Sequence, residues 1–157
     1  MIEQAGMGTK TRFTDEHPPV KGILRYTVLK NGIPIEQVED HNLIVTGARI
    51  QMAHLAAGDF TGRNIKKIAF GTNGTPPTLA DTMITNAFSK NVLGFSYPED
   101  GQVQIDWDLL VMEANGLAIL EFGLITANGV LYSRRIRENP LHKESDISLE
   151  GQWTLIF

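Results

Sequence analysis

The chain has 157 residues, 42% of them hydrophobic and 20% charged, with a formal net charge of -4 and no cysteine. That length suits one domain with its own core, and the lack of thiols excludes a disulfide framework, thiol catalysis and thiolate metal sites. A mean hydropathy of -0.10 and a pI near 5.5 argue against a membrane span and against a nucleic-acid binder held by basic charge.

Residues 1–19 read as a flexible N-terminal arm. They are polar and mixed in charge, with no apolar stretch of the kind a secretory leader carries. The arm ends in Asp15-Glu16-His17-Pro18-Pro19, where each proline biases its predecessor away from the helical region. The alternative is an arm that orders only against a neighbouring subunit. Residues 20–157 read as a single β-rich domain.

From residue 20 the pattern is mostly β. The run 22–29 is followed by Asn31-Gly32 and then by 33–38, and Asn-Gly tolerates the positive φ values of a type I′ hairpin turn. Asp100-Gly101 precedes 103–111, Asn115-Gly116 separates that run from 117–125, and Asn128-Gly129 leads into 130–137. Val103, Ile105, Trp107, Leu109 and Val111 share one parity, as do Ile147, Leu149, Trp153, Leu155 and Phe157. A period of two means strands with one face on a core. The expected fold is mainly β, an antiparallel β-sandwich or barrel-like meander of hairpins.

One segment breaks the β pattern. Residues 46–57 are apolar except at Arg49, Gln51 and His54. With Thr46 as a cap and Gly58 at the C′ position, they predict a short buried α-helix sandwiched against the sheet or a subunit interface. A weaker helical turn is expected over 81–85.

Few residues carry a chemical signature. The histidines His17, His41, His54 and His142 are far apart, with no metal-binding spacing. Asp106 and Asp108 point to the same face and read as a solvated strand surface, with a divalent ion between subunits as the alternative. The stretch 70–77, Phe-Gly-Thr-Asn-Gly-Thr-Pro-Pro, lacks the lysine of a phosphate loop and reads as a surface loop. Arg134, Arg135 and Arg137, with Lys143 nearby, form the only basic cluster. It reads as a solvated edge strand, the alternative being a contact with an acidic neighbour or an anionic glycan. Gly151-Gln152-Trp153 could present an aromatic platform to a sugar, but the parity of Trp153 favours packing. No serine sits in a nucleophile elbow. The sequence assigns no catalytic, cofactor-binding or metal residue, and the expectation is a non-enzyme without cofactors.

Asn42-Leu43-Ile44-Val45, Gly47-Ala48-Arg49, Met52-Ala53 and Ile68-Ala69-Phe70-Gly71-Thr72 resemble a recurring tailed-phage virion module. So do 78–86 with Leu79-Ala80-Asp81-Thr82, Glu121-Phe122-Gly123-Leu124, 129–134, and the ending from Lys143 through 146–149 to 152–157. The resemblance spans roughly residues 40–157. It implies a β-rich, non-enzymatic structural protein of the tail tip, baseplate or fibre-attachment apparatus. Such a protein is a symmetric homo-oligomer, commonly a trimer, located in the virion and assembled in the bacterial cytoplasm. Its partners would be other virion proteins and a host surface glycan or receptor, without nucleic acid or membrane insertion. The alternatives are a capsid decoration protein and a carbohydrate-binding module. The latter requires Tyr26, Tyr97, Trp107 or Tyr132 to be exposed together.

Overall fold

In the computed structural model, which describes residues 20–157, alternating apolar residues build nine strands and one helix. These are β1 (Lys21–Lys30), β2 (Ile33–Ile44), α1 (Thr46–Ala56), β3 (Ile65–Gly71), β4 (Phe88–Asn91), β5 (Gly94–Ser96), β6 (Gln102–Leu109), β7 (Ala118–Thr126), β8 (Leu131–His142) and β9 (Ile147–Ile156). The strands form one antiparallel sheet in the order β4-β3-β7-β8-β2-β1-β9-β6-β5. It curls into a half-barrel, so the mainly β, barrel-like expectation holds. The arm, residues 1–19, lies outside the described residues.

Three of the four turn dipeptides close hairpins. Asn31 and Gly32 take φ of 51° and 77° between β1 and β2, both positive as a type I′ turn demands. Gly101 and Gly129, at φ of 76° and 87°, serve β5–β6 and β7–β8. Asn115-Gly116 does something else. It lies between β6 and β7, which do not pair, since β6 sits between β9 and β5 and β7 between β3 and β8. Here the Gly116 amide donates to the Lys143 carbonyl at 2.8 Å, and the chain crosses from one half of the sheet to the other.

The curl brings the two halves face to face. Tyr26 of β1 and Trp107 of β6 meet Phe70 of β3 and Phe122 of β7, with ring centroids 4.9 to 6.1 Å apart. Edge-on and tilted aromatic contacts of this kind add to the burial itself. Ile105, Trp107, Leu109, Leu149, Trp153 and Leu155 are buried as their parity requires, whereas Val111 and Phe157 lie past their strands' ends and are exposed. Gly151 stands opposite both Tyr26 and Trp107 in the ladder. A Cβ there would run into the Trp107 ring and come within 2.6 Å of the Arg25 carbonyl oxygen.

Helix α1 forms where expected but is not buried. Only Ala48 and Gln51 are buried in it, and Ile50 is 51% exposed. Its alanines and isoleucine look apolar all round in sequence, yet Ala48 reaches the main core, Met52 packs partly against it, and the rest of the helix rides on the surface. Thr46 is the first helical residue and not the cap. Extended Val45 holds the cap position, with no side-chain cap bond. Gly58 takes the left-handed φ of 85° expected beyond the C-terminus.

Trp107→Ala is expected to cost about 3–5 kcal/mol in urea unfolding as a core deletion. Gly151→Ala is expected to lose roughly 1–3 kcal/mol by overpacking, visible as a lower denaturation midpoint with an unchanged slope.

Candidate functional site

The arginine cluster sits on an interior strand of the sheet. Strand β8 lies between β7 and β2, and the sheet edges are β4 and β5, so the expectation of a solvated edge strand is overturned. The ladder between β8 and β2 is short: Leu43 pairs with Arg134 and Ile44 with Ser133. Past that point the strands are bridged by side chains. Arg135 Nε donates to Asp40 Oδ2 at 2.6 Å. Arg137 Nη1 donates to the Tyr26 hydroxyl at 2.6 Å, and its Nη2 reaches Glu36 Oε2 at 3.1 Å. The Arg137 guanidinium also lies 5.8 Å over the Tyr26 ring. It can turn this way because residues 137–140 of β8 stand opposite Leu120 alone, between the Glu121–Ile136 and Ile119–Leu141 pairs, and bulge from the ladder. Deeper in the seam, Asn42 Oδ1 accepts from Trp153 Nε1 at 2.8 Å while Asn42 Nδ2 donates to Ser133 Oγ.

Arg134 points to the opposite face of β8 and is 2% exposed. Its Nε donates to Glu121 Oε1 at 3.4 Å and its Nη1 to Asp81 Oδ2 at 2.9 Å. The same guanidinium donates to the carbonyl oxygens of Thr75 and Asn73 at 3.0 and 2.8 Å. Glu121, fully buried, also accepts from the amides of Asn73 and Thr85. A buried ion pair survives only when its remaining polar positions are filled like this. Segment 72–87 is thereby laid over the outer face of β7 and β8. Ile84 roofs Gly123, where a Cβ would stand 2.6 Å from Ile84 Cγ1.

The helical turn expected over 81–85 is absent. Asp81 turns its carboxylate back toward Thr78, accepting from that amide and hydroxyl at 2.9 Å each. Desolvation alone would raise the Asp81 carboxyl. The Thr78 donors and Arg134 outweigh it and hold the group below the ordinary carboxylate range. The phosphate-loop look-alike at 70–77 is the part of this segment that wraps Arg134 with its carbonyls. Lys143 is separate from the arginines. It is fully buried, with Nζ donating to Val111 O, Asn115 Oδ1 and Glu144 O at 2.9 to 3.1 Å, and burial lowers its pKa.

Asp106 and Asp108 share the outer face of β6, beside a polar groove of about 760 Å³ that also touches Arg25, Glu39, Glu150 and Gln152. Asp108 pairs with Lys90 of β4, which also donates to Glu113 Oε1 at 2.7 Å. This ties one sheet edge to the strand beside the other. Among the described residues no group of three or more histidines or carboxylates is placed to hold a metal ion. His41 and His142 are exposed on separate strands, and His54 Nδ1 lies 2.9 Å from Asp59 Oδ2. His17 lies outside the described residues. Of the aromatics a sugar platform would need, Tyr26, Trp107 and Tyr132 are buried and Tyr97 alone is exposed. Burial pushes the Tyr132 phenol up to about 12. Trp153 is fully buried, as its parity indicates.

The Glu121–Arg134–Asp81 network was not found from the sequence. A signal existed: Glu121 is the single charge of β7, within an otherwise apolar or hydroxylic run. Comparison with family models, curated proteins and solved structures finds no match for the chain.

Arg134→Met is expected to lower stability by about 3–5 kcal/mol, because it strands the Glu121 carboxylate in the interior. The double change Glu121→Gln with Arg134→Met should recover part of that loss in the same urea titration. Because the Asp81 pKa is depressed on folding, its contribution is full above the unfolded value of about 3.9 and lost as pH falls through the lower folded value. Asp81→Asn should therefore reduce stability at neutral pH and flatten the acid limb of the stability profile.

Proposed function

We propose that this chain is a non-enzymatic structural protein of a tailed-phage virion, an oligomeric part of the tail tip or baseplate that joins tail components or contributes to host attachment. The observation that carries the reading is the contrast between charged and apolar side chains at the surface. Arg25, Arg135 and Arg137 are paired with carboxylates of this chain. Meanwhile Leu93, Phe95 and Tyr97 around β5 and Leu110-Val111-Met112 after β6 stand exposed. Exposed apolar surface on this scale marks sites where other molecules pack, and a ring of identical subunits repeats such a patch on each copy. The resemblance of residues 40–157 to a tailed-phage virion module points to what is being joined.

Light scattering on the purified chain should give a mass of three times its 17.4 kDa. Antibody raised against the chain should label the tail end of negatively stained particles in immunogold electron microscopy. Label spread over the head would replace this reading with that of a capsid decoration protein. No label on intact or disrupted particles would remove the virion role altogether.

A further inference from the structure

A second groove, of about 700 Å³, opens at the mouth of the half-barrel, among the start of β3, the start of β6 and the end of β9. Its lining includes Ile105 and Leu155, which belong to the main core, so the groove reaches inward between the two halves of the sheet. Protein interiors are otherwise close-packed, and a cleft of this size at a barrel mouth is of the kind that takes a small ligand. We infer that this groove binds a neutral saccharide, with sugar rings against Phe95, Tyr97 and Phe157 and sugar hydroxyls bonded to the polar groups of its lining.

The lining carries a polar group that the fold leaves unused. Tyr132 of β8 borders the groove and is only 4% exposed. Its hydroxyl bonds to no residue among those described, and burial alone raises its pKa. Buried hydroxyls ordinarily have a partner, and here the partner's place falls in the groove. Arg63 is half committed. Its Nη1 and Nη2 donate to Gln51 Oε1 at 3.0 Å and to Asp59 Oδ2 at 2.9 Å, whereas its Nε is buried with no acceptor among the described residues. Both unused groups donate to oxygen.

The rest of the lining selects the class of ligand. Glu99 and Asp100 supply acceptors, and with Arg63 they set charges of both signs around the groove. A cation would meet the guanidinium, and an anion would meet two carboxylates. A hydrocarbon would cover the Tyr132 hydroxyl without pairing it, at a cost in affinity. A sugar ring suits every group. Its hydroxyls both donate and accept, and its C–H face is weakly positive where the face of an aromatic ring is negative. Phe95, Tyr97 and Phe157 are exposed and line this one groove. The platform is thus a different one from that of Tyr26 and Trp107, whose rings lie in the core. All these groups belong to one chain, so the inference stands independently of the virion reading.

The test presents the full chain, fluorescently labelled, to an array of bacterial surface oligosaccharides with neutral, acidic and amino-sugar members. The strongest neutral binder is then titrated by NMR, with laurate titrated alongside as an apolar probe. Neutral members should bind, and Tyr97→Ala and Tyr132→Phe should each weaken that binding about tenfold. Tyr132→Phe removes an oxygen that the fold does not use, so its urea midpoint should match that of the parent chain. Ile33→Ala, at an exposed position on the β1–β2 hairpin outside the groove, should bind as the parent does. Undiminished binding by both Tyr97→Ala and Tyr132→Phe would overturn the inference by placing the site elsewhere. Binding confined to charged members, or tighter binding of laurate than of any saccharide, would overturn it in favour of another class of ligand. No binding to any neutral member would overturn it outright. Should Tyr97→Ala impair folding, Phe157→Ala serves in its place with the same readings.

Discussion

Two residue pairs, Leu43 with Arg134 and Ile44 with Ser133, carry the backbone ladder from one half of the sheet to the other. So short a seam cannot by itself hold two curled layers in register, and the rest of the structure is arranged around that fact. On the inner side the aromatic group of Tyr26, Trp107, Phe70 and Phe122 presses the halves together without directional bonds. At the seam Asn42 supplies the direction, joining Trp153 of one half to Ser133 of the other. Where the strands diverge, Arg135 and Arg137 reach across to Asp40 and Glu36. Partly exposed pairs of this kind are individually weak. Their value here is positional, since they fix the angle at which β8 leaves β2.

The outer face of the second half is held differently. Strand β7 presents Phe122 and Leu124 to the main core, so Glu121 and Gly123 face outward by the period-two rule. An outward carboxylate would normally meet water. Instead 72–87 closes over it, with Arg134 supplying the charge and the amides of Asn73 and Thr85 the remaining donors. The small cluster of Val45, Ala69, Ile84 and Leu131 lies under the same cover. A segment without regular structure is thus fixed by one polar network and one apolar cluster.

The legible parts of this fold were those decided by near neighbours in sequence. Period-two alternation in β6 and β9 identified their inner faces, and glycine-containing dipeptides located three hairpins. The limits have physical causes. Asn115-Gly116 looks like a hairpin turn because a turn dipeptide encodes a local bend, not which strand comes next to which. The extent of helix α1 is legible but its exposure is not, because alanine and isoleucine do not say how much surface a neighbour covers. Residues 81–85 look like a helical turn, yet the Asp81 carboxylate bonds backward to Thr78 and sideways to Arg134, 53 positions away. The arginines of β8 looked like a charged edge because their partners, Asp40 and Glu36, are about a hundred positions distant. No periodicity of a single segment reports such pairings.

Strand β9 follows the other described strands in sequence but does not lie at an edge of the sheet. Strand β9 lies between β1 and β6, and its pairing with β1, as of Lys21 with Ile156, joins residues far apart in sequence. During translation the β1–β2 hairpin therefore waits with one long edge open until β9 has been made. Contacts so distant in sequence slow folding, and an unpaired hairpin edge is a template for a neighbouring nascent chain. A chain that stopped before β9 would leave both β1 and β6 without the partner that joins them. Strand β9 thus acts as a keystone: the barrel wall closes only once it has been made.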